Sequence, residues 1–197
     1  MKRQIGGPVV VLALVALAAT ACGRTAIARF YTLDSVATPD AGPLASYGVV
    51  VGPVTVPSSV DRPEFVVQVT PNRVAVDEFN RWAGPLDENI ARVVAGDLTT
   101  QLGTPRVAAA PAANFDAAFR VTINVQRFDS IPGREVVVDA VWSVRGPKGA
   151  ARSGRTVARE GVTDSSYDAL AAAHSHALAT VSRDIASAIR AEAAGRA

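Results

Sequence analysis

One cysteine in 197 residues, Cys22, sets the terms on which this chain can fold. No disulfide can form within a single chain, so a buried core has to hold any domain together. The cysteine follows directly on an apolar stretch, Ile5 to Ala21, which is preceded by Lys2 and Arg3. A positive start, a short apolar run (Val9 to Leu17) and the small residues Ala18–Ala19–Thr20–Ala21 describe a secretory signal peptide over residues 1–21. That run is shorter than the about 20 apolar residues a membrane-spanning helix needs. The mature chain, residues 22–197, is long enough for one domain with its own core.

A cysteine immediately after such small residues resembles the bacterial lipobox, in which the thiol receives a diacylglycerol and the new N-terminus is acylated. Residues 22–28 then read as a lipidated tether. The pattern departs from the usual one at Ala19, where Leu is common. The alternative is secretion with cleavage nearby and Cys22 as an incidental thiol. A buried methylene contributes about 0.8 kcal/mol and stable anchoring takes more than one chain, a condition a triacylated cysteine meets. Gly23, rather than an Asp that would favour inner-membrane retention, follows the cysteine. The expected location is therefore the outer membrane of a bacterial envelope, facing the periplasm.

The whole chain carries 20 basic and 18 acidic residues, and loss of Lys2 and Arg3 leaves 18 of each. A balanced mature domain gives no reason to expect nucleic acid or a strongly anionic partner.

Periodicity outlines the domain, 29–194. Arg29–Leu33 predicts a first strand, and Tyr47–Val56 a second, with Gly52–Pro53 as a bulge or an edge position. Phe65–Val69 and Val74–Val76 around Pro71–Asn72 predict a hairpin. Gly84–Pro85 opens a helix, with Gly84 as cap and Asp87 and Glu88 in the first turn. Leu86, Ile90, Val93, Val94, Leu98 and Leu102 form its apolar stripe, and Gly103 ends it. A short strand near Val107 and a loop over Ala108–Ala113 follow. Phe119–Val125 alternates apolar and polar, Glu135–Val144 is apolar almost throughout, and Ser153–Thr163 alternates again, which predicts an antiparallel meander. A last helix begins with a capping pair, Ser165 and Asp168, buries Leu170, His174, Leu178, Val181, Ile185 and Ile189, and closes at Gly195. The expected fold is a single α+β domain, a mainly antiparallel sheet with two amphipathic helices packed on one face.

No catalytic constellation can be assembled. His174 and His176 lie two apart on a helix, so they point to different sides and cannot form an i, i+4 metal pair. His174 reads as a partly buried core residue. No Ser sits in a G-x-S-x-G setting and no glycine-rich phosphate loop is present. The expectation is a non-enzyme with no cofactor and no metal. Arg81–Trp82 reads as a core plug with an ion pair or, alternatively, as an interface anchor. Asp61–Arg62–Pro63 reads as a turn with a local ion pair or as a docking loop. The small residues of the last helix (Ala172, Ala173, Ser175, Ala179) would allow close approach of another subunit or simply make a good helix.

These residues resemble the ABC-type transport auxiliary lipoproteins, the PqiC/YmbA-like group. The likeness rests on Cys22, on Arg29–Leu33, on Val51–Pro57 followed by Asp61–Arg62–Pro63, and on Asn72–Arg73 leading through Glu78–Phe79 to Arg81–Asn89. It implies a non-enzymatic, lipid-anchored accessory subunit of an MCE-type lipid-transport system, with an MCE-domain periplasmic protein as partner and a homo-oligomeric ring as an allowed arrangement. No catalytic residue carries over. Asp61, Arg62, Pro63, Arg81, Trp82, Pro85 and Leu86 carry over as motif positions serving an interface or the fold. The runner-up is an independent periplasmic lipid-binding carrier or chaperone.

Overall fold

The computed structural model describes residues 26–149 and 151–195. The expected signal peptide 1–21, Cys22 and the tether up to residue 25 lie outside the described residues. The elements are β1 (Arg29–Tyr31), β2 (Val49–Thr55), β3 (Glu64–Thr70), β4 (Arg73–Trp82), α1 (Leu86–Leu102), β5 (Val107–Ala109), β6 (Phe119–Ile131), β7 (Glu135–Arg145), β8 (Ala151–Gly161) and α2 (Tyr167–Ala194).

The expected meander forms β6, β7 and β8. Arg134 N–H closes its first turn on Ile131 C=O at 3.1 Å, with Gly133 at φ 66°, a left-handed position that suits glycine. Strand β7 is central, and Val136, Val137, Val138 and Ala140 have no exposed surface. Burial on both faces is why its sequence is apolar without alternation. On the far side of β6, β2 adds parallel, and β5 adds parallel to β2, giving the order β5-β2-β6-β7-β8. Gly52–Pro53 is the expected bulge, marked by the register break between Val51 and Val54, and it lies in an inner strand rather than at an edge. Of the Ala-rich stretch expected as a loop, Ala108 and Ala109 belong to β5.

A second, smaller sheet has the order β1-β4-β3. Strand β1 runs parallel to β4, and β3 pairs antiparallel with β4 as the predicted hairpin. The domain is α+β as expected. Both helices pack against the large sheet, α1 on β2 and β5, α2 on β6, β7 and β8, and they pack against each other. The apolar stripes of both helices are buried as their spacing requires, from Leu86 to Leu102 and from Leu170 to Ile189.

Two caps differ from expectation by one residue. Pro85, not Gly84, caps α1, because its extended ψ of 133° keeps it outside the helix while its C=O accepts from Asn89 N–H at 3.0 Å. Ser166, not Ser165, caps α2. Asp164 accepts the Ser166 N–H at 2.7 Å and fixes Ser166 where its hydroxyl accepts from Ala169 N–H at 3.2 Å.

Candidate docking site

The small sheet brings the two motifs together. Pairing of β3 with β4 matches Glu64 to Arg81, then jumps to Phe65 with Asp77. Residues 78–80 therefore bulge, and the Asp77 carboxylate fills the gap by accepting the N–H groups of Phe79 and Asn80 at 2.9 and 3.0 Å. Burial works to raise the Asp77 carboxyl, but these bonds and the one from Tyr167 outweigh it and hold it below the ordinary value. Beyond the bulge, Trp82 N–H donates to Pro63 C=O at 2.7 Å and Ala83 N–H to Tyr31 C=O at 2.8 Å. Asp61–Arg62–Pro63 is thereby laid along Trp82–Ala83–Gly84–Pro85–Leu86, and these eight residues line one surface cleft of about 400 Å³.

Trp82 is the floor of this cleft. It is 4% exposed, stacks on Phe65 with ring centroids 4.4 Å apart, and meets Phe128 edge-on at 6.1 Å. Arg81 pairs with Glu64 at 3.1 Å. The reading of Trp82 as a core plug and Arg81 as an ion-pair partner is thus what the geometry shows. Leu86 is buried and Pro85 exposed at the other wall. The turn at Asp61–Arg62 is also present, but its expected ion pair is not. Backbone bonds hold it instead, from Asp61 N–H to Pro57 C=O at 3.1 Å and from Arg62 N–H to Val60 C=O at 2.9 Å. Both side chains are exposed. Among the described residues, neither Asp61 nor Arg62 has an ion-pair partner within reach. The cleft therefore has an apolar floor, two prolines at its walls, and one charge of each sign on its rim. That combination can recognise a peptide segment of a partner.

Ala83, Gly84 and Pro85 also border a neighbouring groove with Thr32, Asn89 and Arg92. The Arg92 guanidinium donates to Thr32 Oγ1 at 3.0 Å, Leu33 C=O at 2.6 Å and Asn89 Oδ1 at 2.8 Å, lashing the segment after β1 to α1. Sequence reasoning missed this clamp. A lone Arg on the polar side of an amphipathic helix looks like any solvated cation, and two of its acceptors, Thr32 and Leu33, lie some sixty positions away in the chain.

His174 is fully buried rather than partly so. Its Nε2 lies 2.8 Å from Ser130 Oγ, and its ring stacks on Phe128 at 3.8 Å. Burial pushes its pKa down to about 3, so it is neutral at any physiological pH. Ser130 is 2% exposed, so this Ser–His pair is sealed from any substrate and serves the core. His176 is exposed on the other side of α2, as its spacing requires.

The fold is a small α+β domain in which the two motifs meet at one surface cleft. A family model described as the ABC-type transport auxiliary lipoprotein component matches residues 31–186, and the chain belongs to that family. Solved structures share the fold. Protein XCC0632 from Xanthomonas campestris, of family DUF330, has TM-score 0.71 and 18% identity over 86% of this chain and 100% of its own. An uncharacterized protein has TM-score 0.69 and 21% identity over 83% of this chain and 99% of its own. PelC from Paraburkholderia phytofirmans, which crystallised as a dodecamer, is more distant, with TM-score 0.43 and 16% identity over 74% and 92%. No curated protein matches significantly.

Proposed function

We propose that this protein is a non-enzymatic subunit of an MCE-type lipid-transport system, anchored by acylated Cys22 at the outer membrane, facing the periplasm, and docking a periplasmic MCE-domain protein through the Asp61–Leu86 cleft. The observation that carries the docking site is the convergence of Asp61–Pro63 with Trp82–Leu86 on one cleft that holds no buried ionisable group. Membership of a transport auxiliary lipoprotein family supports the accessory role. A formally neutral mature domain on a lipid leash suits a docking part, and a homo-oligomer belongs to the same reading. No helix among the described residues is long and apolar enough to cross a membrane, so a lipid is the attachment this reading supplies.

The independent-carrier reading requires an apolar cavity between helices and sheet. Leu98, Val144, Val181 and Ile185, which would line it, are fully buried in one packed core. The test is affinity purification of the tagged full-length protein from detergent-solubilised envelopes, with mass spectrometry of what accompanies it. Co-purification of an MCE-domain protein supports the accessory role. Bound lipid without that partner supports the carrier.

A further inference from the structure

Among the described residues nine large hydrophobic side chains are exposed, and six of them, Ile27, Phe30, Val69, Val74, Val76 and Phe79, lie on the small sheet or on the residues leading into it. Single exposed apolar residues scattered over a surface need no explanation, but a concentration on one small sheet does. The direction of β1 decides where the chain ahead of it leaves. Arg29 sits opposite Asn80 and Tyr31 opposite Trp82, so the chain preceding β1 leaves toward the β3–β4 turn, away from the docking cleft at Trp82–Leu86. Tyr31 and Trp82 point into the core, which puts Phe30, opposite Arg81, on the solvent side, 64% exposed. Phe79, two residues before Arg81, is 46% exposed.

Six residues lie between Cys22 and Arg29, a span of at most about 25 Å even when fully extended. We infer that the solvent face of the small sheet seats on the phospholipid bilayer, with Phe30 and Phe79 entering the boundary between headgroups and acyl chains and the β3–β4 turn lying along the surface. The inference rests on the anchor at Cys22 proposed above. The charges of the small sheet balance, with Arg29, Arg73 and Arg81 against Glu64, Asp77 and Glu78. The seating is therefore driven by apolar contact rather than by anionic lipid.

Acylation consumes the Cys22 thiol, so an introduced cysteine is the only free thiol of the mature full-length protein. An environment-sensitive fluorophore is placed on Phe30→Cys, on Phe79→Cys, or on Val157→Cys as a reference on the large sheet. The acylated proteins are reconstituted in phosphatidylcholine vesicles with and without nitroxide-labelled lipid. The expected result is several-fold stronger quenching at positions 30 and 79 than at 157, unchanged when anionic lipid is added. Each variant is first checked by thermal melting, and if Phe30→Cys fails to fold then Phe79→Cys decides. Equal quenching at 79 and 157 in vesicles that carry the protein overturns the seating and leaves the anchor standing. Shielding at 79 that persists in detergent without lipid quenching overturns it in favour of a second copy covering this face. Failure of the acylated protein to float with vesicles removes the anchor and the seating together.

Discussion

The carboxylate of Asp97 on α1 accepts a hydrogen bond from the Ser182 hydroxyl on α2 at 3.0 Å. It also accepts from Ser35 Oγ at 2.8 Å and from Ala37 N–H at 3.1 Å. One fully buried side chain thus ties both helices to the long loop after β1. Asp97→Ala leaves Ser35 Oγ and Ala37 N–H without this acceptor and is expected to cost about 2–3 kcal/mol in urea unfolding. Asp97→Asn is expected to be tolerated. Its amide can donate to Ser182 Oγ, whose own proton then goes to Leu178 C=O, 2.9 Å away.

The same residue predicts a pH dependence. Burial, against these hydrogen bonds, raises the Asp97 carboxyl above its ordinary value of 3.8. The folded protein then holds this proton more tightly than the unfolded chain does. The contribution of Asp97 to stability is accordingly greatest below that ordinary value and declines as pH rises above it. Asn does not titrate, so the stability of Asp97→Asn relative to the parent should rise with pH. Urea titrations of both proteins at acidic and neutral pH check the sign.

His174 works in the opposite direction. Its folded pKa of about 3 lies below the ordinary 6.5, so the unfolded chain takes up the proton first on acidification. Stability from this residue is complete above 6.5 and is lost progressively as pH falls toward 3. The loss should amount to about 2 kcal/mol between pH 6.5 and 5. His174→Phe, which keeps a ring against Phe128, should flatten this slope whatever it costs at neutral pH. The comparison is read from unfolding midpoints across pH.

Gly154 faces the indole of Trp142, and a Cβ there would lie 2.3 Å from Cζ2. Trp142 Nε1–H donates to Thr156 Oγ1 at 3.0 Å, and Thr156 donates to Asp184 Oδ2 at 2.6 Å, joining β7, β8 and α2. Gly154→Ala pushes the indole off this chain of bonds. The expected cost is about 1–3 kcal/mol, with a lower melting temperature and altered tryptophan fluorescence.

Gly84 is the counterpart in the cleft, because a Cβ added there meets nothing within 4 Å. Gly84→Phe should fill the cleft while changing stability by no more than about 0.5 kcal/mol. Capture of the partner from solubilised envelopes should be lost. Capture at the parental level would show that docking uses another surface.

The helices were legible in the sequence because their burial is periodic and local: Leu86 to Leu102 and Leu170 to Ile189 each declare one face. The meander was legible for the same reason, since short turns join neighbouring strands. What could not be read was set by distant pairing. Nothing within Val49–Thr55 announces that it runs parallel to two strands from later in the chain. Nothing in Arg29–Tyr31 names Asn80–Trp82 as its neighbour. The motif residues Asp61–Pro63 and Trp82–Leu86 were visible as separate runs. Their meeting depends on the bulge at 78–80 and on the bond from Trp82 N–H to Pro63 C=O. The one-residue shifts to Ser166 and Pro85 reflect which of two adjacent candidates the surrounding loop holds outside the helix.

The pairing of β1 with β4 also has a mechanical side. Because the two strands are parallel and the chain ahead of Arg29 leaves in line with them, tension applied through that leading segment acts along the strand. The hydrogen bonds between the strands then share the load in shear instead of opening in sequence like a zipper. Behind β1, the Arg92 clamp on Thr32 and Leu33 is the next point to take the strain. A pull through that leading segment would thus load the β1–β4 pair along its length rather than peel it apart.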